Sequence, residues 1–115
     1  MTTTIQQQAQ ETIQQNVHKW CQLLCEALRH DFIRKYGRDG YDFCIESGRK
    51  YHKIVMDGSG SRSVHCFVDK NTGEVYKSAS WKAPAKGVRF DLRVIEEREF
   101  VLENCDWAGG YLYGN

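Results

Sequence analysis

The sequence predicts an α+β fold in which a long N-terminal helix packs on a three-stranded antiparallel meander and a C-terminal helix follows. Three observations predict it: a helical apolar stripe over the first third of the chain, three alternating segments separated by turn residues, and a second helical pattern after the single proline. The length of 115 residues is typical of one domain, so we expect a single domain over residues 1–115.

The long helix is predicted over residues 4–36, where apolar side chains recur at three- and four-residue steps. They are Ile13, Val17, Trp20, Leu24 and Ala27, with Cys21, Cys25, Leu28 and Phe32 widening the stripe. A threonine at positions 2–4 can cap its start, and Gly37 gives it a stop. The glutamine-rich first turns, within residues 1–12, are expected to fray.

Three segments alternate between apolar and polar residues and are predicted to be strands: 50–57, 63–69 and 74–80. A short extended piece is expected before them, at residues 41–45. The turn between the last two strands contains Gly73, which can adopt the positive φ that such a turn requires.

Alternation sorts the strand residues onto two faces if Val68 lies opposite Val75 and Phe67 opposite Tyr76. The predicted inner face, which would cover the long helix, comprises Val64, Cys66, Val68, Val75, Ile54 and Met56. The predicted outer face comprises His65, Phe67, Tyr76 and Ser78, with Tyr51 and Lys53 nearby. The outer face is therefore expected to be aromatic and basic.

The C-terminal helix is predicted over residues 91–104, because Asp91 can cap it and apolar residues recur on one face. Those apolar residues are Leu92, Ile95 and Leu102. Residues 89–95 also fit an alternating strand, so helix and strand both stay open for residues 89–104. The aromatic end, residues 107–113, is expected to fold back onto the core.

Membrane, metal and cofactor functions are not expected. No segment approaches the ~18 uncharged apolar residues that span a bilayer, and the N-terminus has no leader pattern. Scattered cysteines without such a leader favour reduced thiols in a cytoplasmic protein. The close pairs that zinc requires are limited to Cys21 with Cys25, on the apolar helix face, and His65 with Cys66, which point to opposite sides of a strand.

An enzyme is not expected either. Cys66 with His52 or His65 could supply a nucleophile and a base, but the strand pattern directs Cys66 into the core. The glycine-serine run at residues 58–61 lacks the strand-turn-helix context of a nucleophile elbow. The carboxylates within residues 96–106 are typical of a solvated helix face.

The net charge of +1 is unevenly distributed along the chain. Residues 48–90 carry nine basic and three acidic side chains, a net charge of +6, whereas residues 91–115 carry two basic and six acidic ones, a net charge of −4. Such a basic block is typical of an anion-binding face. An acidic C-terminal segment packed beside the block would instead neutralise it, and both arrangements stay open.

The basic block interleaves cations with aromatic rings, which is typical of proteins that bind single-stranded nucleic acid. The candidate binding residues are Lys53, His65, Phe67, Tyr76, Lys77, Trp81, Lys82, Lys86 and Arg89. Phe67 beside Tyr76 would offer two rings on which bases stack. Alternatively, residues 107–113 would cover these rings as a second small core.

Residues 63–89 resemble a family of small proteins encoded by tailed bacteriophages, cyanophages among them, and the run Ala-Ser-Trp-Lys-Ala-Pro-Ala-Lys at 79–86 carries most of the likeness. Residues 106–113 are similar too. That family has no settled activity, so the resemblance implies an origin in the cytoplasm of an infected host cell. It favours two functions: a nucleic-acid-binding accessory protein, or a non-catalytic module that binds a host protein.

The first half of the long helix has few apolar residues and extends further than a small sheet can cover. We therefore predict that it pairs with a second copy to form a homodimer. A strictly monomeric sedimentation profile at micromolar concentrations would contradict this prediction.

Overall fold

The computed structural model describes residues 4–113 and confirms the predicted α+β class. Helix α1 spans Ile5–Tyr36 and helix α2 spans Ile95–Asn104, and neither is long and apolar enough to cross a membrane within the described residues. The strands are β1 Asp42–Ser47, β2 Tyr51–Gly58, β3 Ser61–Asp69, β4 Glu74–Tyr76 and β5 Phe90–Asp91. They pair antiparallel in the order β1-β2-β3-β4-β5, so the predicted meander gains a strand at each edge.

Helix α1 begins and ends at the predicted residues because both ends are capped. The Thr4 hydroxyl accepts a hydrogen bond from the Gln7 backbone N–H, and the Gln7 side-chain oxygen accepts one from the Thr4 N–H, which forms a capping box. At the other end Gly37 has a φ of 69° and donates its N–H to the Ile33 carbonyl. Residues 1–3 of the segment predicted to fray lie outside the described residues.

The hydrophobic core lies between α1 and the inner face of the sheet. Its buried members include Val17, Cys21, Leu24, Leu28, Phe43, Ile54, Cys66, Val68, Val75, Leu92 and Val101. Burying a side chain of the size of leucine or valine stabilises the fold by about 1.5–3 kcal/mol. The inner-face prediction is confirmed for Ile54, Cys66, Val68 and Val75, and Met56 packs against the same core while partly buried.

A shift in the register between β2 and β3 changes which side chains face the core. Ile54 lies opposite Cys66 but Val55 lies opposite Val64, so His65 is an extra residue on β3. This β-bulge places two successive residues on the same side of the strand. The predictions of an inward Val64 and an outward His65 were therefore wrong, because Val64 shares the outer face with Val55 and His65 faces the core side.

The segment after β3 also differs from its prediction. Strand β4 ends at Tyr76 rather than at residue 80, because the following residues form a separate hairpin. Asp91 does not cap α2: it belongs to β5, and its backbone N–H donates to the Glu97 carboxylate at 3.0 Å. The residue that precedes α2 is Val94, whose side chain cannot cap. Residues 89–104 thus contain a short strand followed by a helix.

The aromatic end folds back onto the core, as predicted. The Trp107 ring lies against the rings of Phe32, Tyr36 and Tyr41, with centroid separations of 5.2, 5.7 and 5.5 Å. The Trp107 backbone N–H donates to the buried Asp31 carboxylate at 3.0 Å. Burial alone would raise the pKa of Asp31, but this hydrogen bond and the neighbouring cations of α1 lower it below its usual value.

All five cysteines are free thiols. Burial raises the pKa of Cys21 and of Cys66, and it raises the pKa of Cys25 to about 12 and that of Cys105 to about 11. These four thiols are therefore protonated at neutral pH, which makes them poor nucleophiles and poor metal ligands.

Candidate functional site

The register of the sheet places three candidate residues in one row on its outer face, the side opposite α1. Lys53 lies opposite Phe67, and Phe67 lies opposite Tyr76, across β2, β3 and β4. Glu46 extends the row onto β1, where it lies opposite Lys53. The predicted pairing of Phe67 with Tyr76 is thus confirmed.

Residues 77–89, which we call the hairpin arm, fold back over this outer face. Within the arm, the Ala85 N–H donates to the Lys77 carbonyl at 2.8 Å, so the arm is held by hydrogen bonds of its own. Trp81 lies at its tip, with its ring centroid 4.2 Å from the Lys53 ammonium nitrogen. A cation–π contact therefore joins the arm to the sheet.

Phe67 is packed beneath this surface and is only 2% exposed. The Tyr51 ring meets it edge-on at 5.8 Å and meets Tyr76 edge-on at 6.0 Å. The prediction that Phe67 offers an open ring for base stacking was therefore wrong. The alternative, cover by residues 107–113, was wrong for Phe67, because Trp107 and Tyr111 pack on the core side. It is confirmed for His65, whose ring stacks on that of Tyr111 at 5.6 Å.

His65 is a second candidate that the structure removes from the outer face. Its Nε2 atom lies 2.8 Å from the Tyr111 hydroxyl, and its ring packs edge-on against Phe43 at 5.8 Å. Burial lowers the pKa of His65 to about 4, against the opposing effect of Asp106. A neutral, enclosed imidazole on the core side cannot contact a phosphate on the outer face.

The remaining candidates lie on or beside the arm. Lys82 and Lys86 are exposed, and Trp81 is 39% exposed. The Lys77 ammonium lies 4.3 Å from the Tyr113 ring centroid.

Arg89 is half-buried, and its Nε atom is buried without a hydrogen-bond partner among residues 4–113. Such an unmet guanidinium donor is costly unless a ligand or water accepts from it.

A cleft of about 270 Å³ opens beside the outer row, between the β1–β2 turn and the arm. Its charged lining residues are Arg49, Lys50, Lys53 and Lys82, with Glu46. Arg49 and Lys50 were absent from the candidates, although a Gly-Arg-Lys turn between two predicted extended segments could have drawn attention to them. We call this cleft, with its four cations, the basic cleft.

The cations of the basic cleft have no carboxylate partner in the ion pairs found among residues 4–113. Those pairs involve other cations: Arg29, Arg34, Lys35, Arg62 and Arg93. Glu46 of the cleft is itself paired with Arg62. In the part of the chain that the structure describes, no ion pair joins the acidic C-terminal segment to the basic block. Direct neutralisation of the block is therefore not found, and the cleft presents free positive charge.

Hydrogen bonds within the β1–β2 turn and from neighbouring side chains hold the turn, which carries two of these cations. The Gly48 N–H donates to the Tyr51 carbonyl at 2.9 Å, and the Lys70 ammonium donates to the Gly48 carbonyl at 3.0 Å. The Ser47 hydroxyl lies 2.7 Å from Nδ1 of the buried His52. These hydrogen bonds fix the turn, and such preorganisation lowers the entropic cost of binding.

The Ser47–His52 contact is not suited to nucleophilic catalysis. Burial, with His18 and Lys70 nearby, lowers the pKa of His52 to about 4, so this imidazole is a weak base at neutral pH. The edge of the His18 ring, rather than a carboxylate, packs on His52, at a centroid separation of 5.2 Å. Among the described residues, no group of three or more His, Cys, Asp or Glu side chains could hold a metal ion.

Comparison with known proteins adds a family but no activity. No curated protein and no solved structure matches the chain. One family model matches residues 2–114, and its description gives the function as unknown. The resemblance to small proteins of tailed phages therefore stays a prediction. Because the match covers nearly the whole sequence, the chain belongs to the family of unknown function DUF7717.

Proposed function

We propose that this chain is a small nucleic-acid-binding accessory protein that holds phosphates on its outer face and catalyses no reaction. The observation that carries this is the basic cleft, where Arg49, Lys50, Lys53 and Lys82 share one surface and form no ion pair with a carboxylate of residues 4–113. Phosphate neutralisation by lysine and arginine supplies much of the affinity of nucleic-acid-binding proteins. The phage resemblance supports a role in the cytoplasm of an infected host cell.

The arm extends this surface beyond the cleft. Lys82 and Lys86 are exposed on the arm, and the buried Nε atom of Arg89, at its base, has no acceptor within residues 4–113. Phosphate oxygens are acceptors that suit such groups, because charge-assisted hydrogen bonds are short and strong. Because Phe67 is buried, we expect phosphate contacts to contribute a larger share of the affinity for nucleic acid, and base stacking a smaller share, than the sequence predicted. Trp81 is partly exposed and Tyr51 lines the cleft, so these two rings can contact a ligand.

Replacing Lys82 and Lys86 together with glutamine should weaken binding to oligonucleotides of any sequence by roughly five- to ten-fold at low salt. Glutamine keeps much of the side-chain length and removes the charge. The measurement is a fluorescence-anisotropy titration of labelled single- and double-stranded oligonucleotides with the purified protein.

A matched control removes two cations from elsewhere on the surface. Lys19 and Arg38 are exposed, one on α1 and one just after it, so their double replacement by glutamine changes the net charge equally. The control should bind nearly as well as the natural sequence. Equal weakening in both double variants would show that only overall charge matters, and unchanged binding in the arm variant would reject this surface.

Binding of a host protein is the second candidate function, and exposed apolar side chains on the helices favour it. Leu23 on α1 is 39% exposed, and Ile95 and Phe100 on α2 are 56% and 48% exposed. Apolar contact of this kind is used in protein interfaces. A complex formed through these residues would resist added salt, whereas a phosphate complex would not. The predicted homodimer through the first half of α1 stays a prediction.

A further inference from the structure

We infer that the basic cleft holds one unpaired nucleotide of a strand, with the base against Tyr51 and the adjoining phosphates among Arg49, Lys53 and Lys82. This inference rests on the proposed function and narrows it to single-stranded nucleic acid. It also assigns the stacking role to Tyr51, on β2, in place of the buried Phe67.

The size of the cleft supports a single nucleotide. Its volume of about 270 Å³ lies just below the range of roughly 300–1,000 Å³ that is typical of small-molecule pockets. A base with its sugar and phosphate is of this scale. A base-paired duplex keeps its bases stacked inside the helix. Its phosphates could contact the cations of the cleft, but its bases could not stack on Tyr51.

Aromatic and cationic groups are arranged in the cleft as a nucleotide requires. Tyr51 and Phe67 both contribute to its lining, and their edge-on contact at 5.8 Å fixes the orientation of the tyrosine ring. The Lys50 ammonium lies 5.4 Å from the centroid of the Tyr51 ring. Its flexible stem allows it to move aside for a base and to contact a phosphate instead.

Three cations that line the cleft with Tyr51 can contact the phosphates on either side of the base. Lys53 on β2 and Lys82 on the arm line the cleft together, and Arg49 lies on the β1–β2 turn. The carboxylate of Glu46 is paired with Arg62, so it does not neutralise these groups directly. Stacking on a ring accepts any base, so we expect little sequence preference.

The first test uses the natural protein and three oligonucleotide probes in anisotropy titrations. The probes are a short single strand, the same strand with abasic positions, and the matching duplex. We expect the abasic strand and the duplex to bind roughly ten-fold more weakly than the intact strand. Equal affinity for the intact and abasic strands would overturn the inference while leaving phosphate binding intact.

The second test changes the ring itself. Tyr51→Leu keeps an apolar side chain but removes the stacking surface, and it should weaken the intact strand roughly ten-fold without changing duplex affinity. Tyr51→Phe keeps the ring and should bind like the natural protein. Equal loss of strand and duplex binding in Tyr51→Leu would contradict the assignment, and circular dichroism establishes that each variant is folded.

Competition with adenosine monophosphate distinguishes two possible ligands of the basic cleft, a nucleic-acid strand and a free nucleotide. Under the inference, the free nucleotide displaces the strand only weakly, because neighbouring phosphates of the strand contribute to affinity. Complete displacement at micromolar nucleotide would overturn the assignment to a strand. Failure of the natural protein to bind any probe at low salt would reject the proposed function as well.

Discussion

Replacing Trp107, which is partly buried, with alanine is expected to lower the free energy of unfolding by about 2–4 kcal/mol. The Trp107 ring packs with the rings of Phe32, Tyr36 and Tyr41, which come from the end of α1 and the residues before β1. Its loss removes the aromatic cluster that joins this part of the C-terminal segment to α1 and to Tyr41. Urea denaturation followed by circular dichroism measures the change.

A phenylalanine at position 107 serves as the control for this substitution. Both variants keep the backbone N–H that donates to Asp31, but only phenylalanine keeps an apolar ring, so we expect it to retain most of the stability lost in the alanine variant. An alanine variant with unfolding energy within about 1 kcal/mol of the natural protein would show that the C-terminal segment contributes little to the fold.

Acidification from about pH 6.5 to about pH 4 is expected to destabilise the protein through two buried histidines. The pKa values of His52 and His65 are both lowered to about 4 by burial, with His18 and Lys70 adding to the effect at His52. An unfolded histidine has a pKa of about 6.5. In this interval the unfolded chain therefore binds two protons that the folded protein does not bind.

Proton linkage gives the direction in which the free energy of unfolding changes with pH. The unfolding free energy should fall by about 1.4 kcal/mol per pH unit for each histidine, or about 2.7 kcal/mol per unit for both. From about pH 7.5 upward both side chains are almost entirely neutral in either state, so their contribution no longer changes. Asp31 and Asp42, whose pKa values are lowered by hydrogen bonds and neighbouring cations, lose their contribution only at still lower pH.

Urea titrations at several pH values measure this slope. His52→Gln and His65→Gln should each reduce it by about half, because each removes one of the two linked protons. A free energy of unfolding that stays constant from about pH 6.5 to about pH 4 would contradict the assignment of both imidazoles as buried and neutral.

Most of the fold was predictable because local signals agree with the tertiary structure. The apolar period, the Thr4 cap and the Gly37 stop define α1 to within a residue. The bulge at His65 was not predictable, because reading the two faces from alternation assumes an unbroken two-residue period. Strand β5, Phe90–Asp91, was missed because its two residues pair only through tertiary contact with β4.

The kinds of residue in the candidate site were predictable from the sequence, but the positions of several of them in the fold were not. Of the candidate residues, Lys53, Trp81 and Lys82 lie together on the outer face, whereas His65 lies on the core side. Phe67 is buried beside the rings of Tyr51 and Tyr76 on the neighbouring strands, and alternation along one strand does not reveal such packing. The same fold brings the turn residues Arg49 and Lys50 beside the arm, forming the basic cleft.

The salt dependence of single-strand binding is the sharpest test of phosphate binding by the basic cleft. Each phosphate neutralised on a single strand contributes about −0.7 to the slope of log affinity against log salt concentration. If the four cations of the basic cleft each contact a phosphate, the slope should be about −3, and it should become shallower in the Lys82→Gln, Lys86→Gln variant. A slope near zero, or no binding at low salt, would contradict a nucleic-acid-binding function.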